Sequence, residues 1–145
     1  MSLTGSFLRL HQQLYVRTDG RVGHRMIGVP TLLLRTTGRR SGATRTNALV
    51  YARDGEHYLL VASNGGADSP PAWLYNIRAS TKVEIQVARE RLDGTASVIE
   101  PGDPDYARVW KLVNDNNHDR YTAYQTQTSR PIPVIAVTPV TPLAG

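Results

Sequence analysis

Residues 31–62, TLLLRTTGRRSGATRTNALVYARDGEHYLLVA, decide the fold. Thr31–Thr36 is a short apolar run bounded by turn residues, which predicts a buried strand. Gly38–Gly42 then turns the chain. Thr44–Ala52 and His57–Ala62 are two further strand patterns, with Arg53-Asp54-Gly55-Glu56 between them, and Asp-Gly is a strong hairpin signal. Three strands in 32 residues leave no room for helical crossovers.

The same grammar continues outward. Lys82–Ala88 alternates, with Val83, Ile85 and Val87 on one face. Leu92–Glu100 alternates again and groups Leu92, Gly94, Ala96 and Val98. Pro133–Thr138 supplies the last strand. Helical spacing appears in four places. Residues 6–18 place Phe7, Leu10, Leu14 and Tyr15 on one face. A helix beginning near Ser69, with Pro70 and Pro71 in its first turn, carries Trp73, Leu74 and Ile77. A third, with Asp103 as N-cap and Pro104 following, buries Tyr106, Val109, Trp110 and Val113. His118–Thr128 places Tyr121 and Tyr124 together. Residues 19–30 read as loop. The expectation is an α+β, mostly β chain: an antiparallel barrel of about six strands with helices packed outside.

The chain has 145 residues and no cysteine, which excludes disulfide frameworks and thiolate chemistry. Its formal net charge of +5 favours anionic partners. One phenylalanine and no basic–aromatic platform argue against nucleic acid. No apolar run approaches the roughly 20 residues that span a bilayer, and residues 1–18 lack a secretory pattern, so the expected location is the cytoplasm. The histidines at 11, 24, 57 and 118 show no metal-ligand spacing, so no metal is expected.

The sharpest chemical feature is Gly38-Arg39-Arg40-Ser41-Gly42. Two glycines expose backbone N–H groups, two guanidinium forks and a hydroxyl join them, and Arg45 follows on the next strand. Amides plus arginine is how proteins hold phosphate. A motif this short also arises as a plain solvated hairpin. Ala62-Ser63-Asn64-Gly65-Gly66 ends a strand with glycines that permit close approach of a flat ligand. Trp73 and Asn76 lie three apart on the following helix. Tyr121 and Tyr124 could wall a pocket or simply pack.

Three stretches agree in order and spacing with one family: TLLLRTTGRRSGATRTNALVY, VASNGGADSPPAWLYNI and YTAYQTQTSRPIPVIAVTP. Through them the chain resembles the deazaflavin-dependent nitroreductases, the coenzyme F420-dependent split β-barrel oxidoreductases of actinobacteria. The resemblance runs from about Pro30 to Pro139. It implies a split β-barrel over residues 31–139, preceded by an N-terminal helix and loop at 1–30 and followed by a loose tail at 140–145. The implied cofactor is F420, a deazaflavin with a phosphodiester and a γ-glutamyl tail. Arg39, Arg40, Ser41 and Arg45 would hold the phosphate and the tail beside it. Thr46, Asn47, Ala48, Leu49 and Val50, with Val61, Ala62, Ser63 and Asn64, would line the deazaflavin. Ala72, Trp73 and Asn76 would close the site. Tyr121, Tyr124 and Ser63 would position substrate or donate a proton. The chain departs from the family pattern at Ala48 (commonly proline), Val50 (tyrosine), Asn64 (lysine in some relatives) and His118 (often aromatic). These changes fall on the cofactor and substrate side and count against nitroimidazole activation.

The expected activity is transfer of a hydride from reduced F420 to an electron-poor small molecule: an enone or lactone by ene-reduction, a quinone, or a nitro compound. An FMN-dependent split-barrel oxidoreductase and a non-catalytic F420 or flavin carrier are the alternatives. Partners are limited to the small-molecule substrate and a second copy of the chain. Contact with the inner membrane surface, without stable insertion, would rest on Arg9 and Arg17 of helix 6–18.

Overall fold

A computed structural model describes residues 25–26 and 29–140. The expected helix at 6–18 and the tail beyond 140 lie outside them. Eight strands are present among the described residues: β1 Arg25–Met26, β2 Val29–Thr37, β3 Thr44–Val50, β4 Ala52–Asp54, β5 His57–Val61, β6 Lys82–Val87, β7 Glu90–Ile99 and β8 Val134–Pro139. Three helices accompany them: α1 Ala72–Ala79, α2 Tyr106–Asn116 and α3 Arg120–Gln125.

Every pairing is antiparallel, and after the short β1 the order runs β2-β6-β7-β8-β5-β4, with β3 on the other side of β2. The two edges, β3 and β4, are consecutive in the chain and separated by Tyr51 alone. The sheet therefore curls until its edges meet in one bent strand. Its first half bonds β2 and its second half bonds β5. Counted this way six strands form the ring, and the wall is split where β3 parts from β5. This is the expected split barrel.

Period-2 alternation fills the interior. Leu32 and Leu34 of β2, Tyr58 and Leu60 of β5, Val83 and Ile85 of β6, and Ile135 and Val137 of β8 share one cluster. Trp73, Leu74 and Ile77 of α1 join it and close the split. Gly94 sits where a Cβ would lie 2.7 Å from Val137 Cγ1, so only glycine lets β7 carry that packing. A second cluster lies outside, where Leu59, Val61 and Val134 meet Val109 and Val113 of α2 and Tyr121 of α3.

Several boundaries differ from expectation, each for a local reason. Pairing reaches back into the supposed loop, Met26 to Val29 and Arg25 to Pro30. The helix expected near Ser69 begins at Ala72, with Pro71 extended at ψ 149° as its N-cap. Pro71 disfavours the helical region for Pro70, so the helix waits until both have passed. Asp103 accepts the Asp105 N–H at 3.0 Å, which makes a turn of its own, and α2 starts at Tyr106 with Asp105 as N-cap. His118 and Asp119 are both left-handed, at φ 55° and 57°, so α3 starts at Arg120 rather than His118 and ends at Gln125 rather than Thr128.

Candidate functional site

The β2–β3 turn is built around its glycines. The Gly38 N–H donates to Ala43 O at 2.7 Å, and the Gly42 N–H to Gly38 O at 2.8 Å. Gly42 has φ +74°, and a Cβ on Gly38 would lie 2.9 Å from Ser41 Oγ. Ser41 Oγ accepts the Ala43 N–H at 3.1 Å, which leaves its own proton free to donate. The N–H groups of Arg40 and Ser41 meet no acceptor among the described residues.

A groove of about 620 Å³ opens beside this turn. It is lined by Gly38, Arg39, Arg40 and Ser41, by Thr44, Arg45, Thr46 and Asn47 of β3, and by Ala72, Trp73 and Asn76 of α1. Among the described residues no carboxylate lines it. Arg39, Arg40 and Arg45 form no ion pair among the described residues. The Arg39 guanidinium rests 4.7 Å above the Tyr75 ring, a cation–π contact that limits where it can swing. The donor set is guanidinium, hydroxyl and amide, which is the chemistry of an anion site.

Asn76 joins the two walls. It is 4% exposed. Its Oδ1 accepts the Arg39 N–H at 3.0 Å and its Nδ2 donates to Thr36 Oγ1 at 3.1 Å. Both ends of the amide are thus spent on fastening the arginine turn to α1.

Nine of the expected cofactor residues therefore share one groove: Arg39, Arg40, Ser41, Arg45, Thr46, Asn47, Ala72, Trp73 and Asn76. The others lie elsewhere. Ala48, Leu49 and Val50 continue β3, half-buried, with Leu49 packed on the barrel core. Val61 faces the outer cluster and Ala62 the interior. Ser63 is buried, and Asn64 is exposed, with its Nδ2 donating to Ser69 O at 2.9 Å. Tyr121 is 7% exposed within the outer cluster, and half-buried Tyr124 meets it edge-on with centroids 6.3 Å apart. Burial, opposed by a hydrogen bond with Asn117, pushes the Tyr121 phenol up to about 12, so it keeps its proton at neutral pH.

Two residues that hold candidate-site elements escaped the sequence reading. Tyr75 supports Arg39, and its only signal was its place beside Asn76. Arg130 donates to Ala62 O (3.2 Å), Ser63 O (2.8 Å) and Ala67 O (2.9 Å). Nothing local marks it, because its partners lie 63 to 68 residues away. A second groove, about 630 Å³, lies between α2 and α3 under the stacked pair Tyr106–Trp110. Among the described residues no charged side chain lines it. Among the described residues no group of histidine, aspartate or glutamate could hold a metal, and no helix is long and apolar enough to cross a membrane.

A family model described as F420H(2)-dependent quinone reductase matches residues 7–139. The F420H(2)-dependent quinone reductase of Mycobacterium tuberculosis (strain ATCC 25618 / H37Rv) is 53% identical over 132 residues, covering 90% of this chain and 89% of that protein. Among solved structures, an F420-H2 dependent reductase (FDR-A) is 36% identical with a TM-score of 0.67, over 74% of this chain and 93% of that one. A chain solved as a domain-swapped dimer is 32% identical with a TM-score of 0.68, over 92% and 98%.

Proposed function

This chain belongs to the F420H(2)-dependent quinone reductase family, and on that footing we propose that the Gly38–Asn47 groove grips the anionic part of F420 while a quinone accepts the electrons. Its cofactor is coenzyme F420 and its activity is F420-dependent reduction. The observation that carries the site is three guanidiniums along one groove without carboxylate partners among the described residues. That donor set fits a phosphodiester and a carboxylate tail. When bound, reduced F420 supplies a hydride and a proton, which together turn a quinone into its hydroquinone.

The residues then divide the work. Arg39 and Arg45, with Arg40 and the Ser41 hydroxyl, offset the cofactor's negative charge. Thr46 and Asn47 offer polar contacts along β3, and Ala48, Leu49 and Val50 continue that wall. Trp73 and Ala72 bound the groove on the α1 side and keep water from that face. Asn76 acts by holding the turn rather than by touching the ligand, since both ends of its amide are engaged. The loop Val61–Asn64 borders the flat ring, and Ser63 and Tyr124 donate hydrogen bonds to the substrate oxygen as negative charge develops on it. Tyr121 supports Tyr124 ring against ring and stays neutral.

Residues 31–139 form the catalytic unit in this reading, the protein works in the cytoplasm, and it pairs with a second copy, as the domain-swapped neighbour does. Titration with F420, followed by tryptophan fluorescence, tests the cofactor site. Saturation at micromolar cofactor is expected, and no binding at tens of micromolar would sink it. A panel of quinones, enones, lactones and nitro compounds tests the acceptor. The highest kcat/KM is expected for quinones, and a clear preference for another class would replace them.

A further inference from the structure

We propose that Arg130 is a positioning residue for the reduction, setting the loop between β5 and α1 by gathering three of its carbonyls onto one guanidinium. The inference rests on the reading that this loop borders the cofactor ring.

The loop makes a tight left-handed turn. Asn64, Gly65 and Gly66 are successively left-handed, at φ 46°, 65° and 86°. Asn64 is the one residue of the three with a side chain, and asparagine enters that region more readily than other such residues, so the turn forms locally and its two ends remain to be set. Three of the five guanidinium N–H groups of Arg130 are spent on Ala62, Ser63 and Ala67, on both sides of that turn. The carbonyls are drawn together by one planar fork, a geometry no ammonium reproduces. Among the described residues no carboxylate pairs with Arg130, so carbonyl dipoles alone answer its charge.

The arginine is itself anchored. Gln125 Nε2 donates to Thr128 O at 3.2 Å and to Arg130 O at 2.8 Å, and Gln125 Oε1 accepts the Ile132 N–H at 3.0 Å. Thr128 Oγ1 donates to Asp68 Oδ1 at 2.7 Å, a second tie to the same loop. Gly66 completes the seat, because a Cβ there would lie 2.9 Å from Tyr124 O. The end of α3, Arg130 and the loop thus form one unit, and the loop leads directly into α1 with its Ala72, Trp73 and Asn76.

The charge grip and the loop clamp are separate, which makes the idea testable. In unliganded Arg130→Gln, hydrogen exchange at the Gly66 and Ala67 amides should quicken by about 10-fold or more, with residues 38–47 unchanged. F420 affinity should stay within about 3-fold, while kcat falls by about 10-fold or more, because a small misplacement of a reacting group is costly. Arg130→Lys keeps the charge and should not restore kcat. It is also the variant to measure if Arg130→Gln does not fold. Unchanged exchange in the loop, an unchanged kcat, an affinity loss that matches the rate loss, or full rescue by lysine would each overturn the proposal. Failure of the wild-type protein to bind F420 would strike the cofactor-site reading instead, since the exchange measurement needs no ligand.

Discussion

The two grooves are nearly the same size, about 620 Å³ beside Gly38–Gly42 and about 630 Å³ under Tyr106–Trp110, yet their chemistry differs throughout. In the second, the polar groups are largely committed to the fold. The Tyr106 hydroxyl donates to Ile132 O at 2.6 Å, Thr126 Oγ1 donates to Ala123 O at 2.6 Å, and Gln125 anchors the 128–132 segment. The cations on and around α2 are paired: Arg108 with Asp54 at 2.8 Å, Lys111 with Asp115 at 2.5 Å. The first groove holds Arg39, Arg40 and Arg45 without such partners among the described residues. Cavity volume therefore says nothing here about which groove is the site. The unanswered charge is what supports the first, because three neighbouring guanidiniums repel one another and are most stable with an anion between them.

The sharpest attempt to break this contrast is Arg39→Ala with Arg45→Ala. It should weaken F420 binding by about 100-fold or more in a fluorescence titration, at roughly 1.5–3 kcal/mol for each of the two charge-assisted contacts. Wild-type affinity should also fall as salt is raised, and the double variant should lose most of that dependence. Next in size, Asn76→Ala removes one buried and one part-buried hydrogen bond and should cost about 1–3 kcal/mol in urea unfolding, with a smaller loss of F420 affinity.

The helix side should answer to pH instead. Burial raises the phenols of Tyr106 and Tyr121 from 10.0 to about 12. Their folded values lie above the unfolded one, so their contribution is complete below pH 10 and is lost as pH climbs from 10 to 12. Tyrosinate absorbance should show both ionising late, and Tyr121→Phe should reduce the alkaline loss of stability. In contrast, Trp110→Ala should leave F420 affinity within about twofold, because the proposal seats the cofactor in the first groove. Smallest of all, Lys111→Ala should change stability by less than about 0.5 kcal/mol, since an exposed i,i+4 pair is worth little.

Much of this was legible in the sequence where short-range rules operate. Gly38–Gly42, the Asp54-Gly55 hairpin and the alternation of Val83, Ile85 and Val87 are local, and they gave the turn, the strands and the inner face. The bend at Tyr51, which turns one expected strand into the two edges of the barrel, is set by pairing with β2 on one side and β5 on the other. No window of sequence contains that information. The role of Asn76 was missed for the same reason, since its partners, Arg39 and Thr36, lie 37 and 40 residues away. Trp73 was ambiguous between core and site, and it serves both, being 4% exposed in the barrel core and part of the groove.

The most direct test of the central claim is a crystal structure of the protein with F420 bound. The account predicts the phosphodiester within hydrogen-bond reach of the Gly38–Arg45 segment, with Arg39 or Arg45 on its oxygens and Asn76 still bonded to the Arg39 amide. A phosphodiester seated elsewhere, in the Tyr106–Trp110 groove above all, would contradict it.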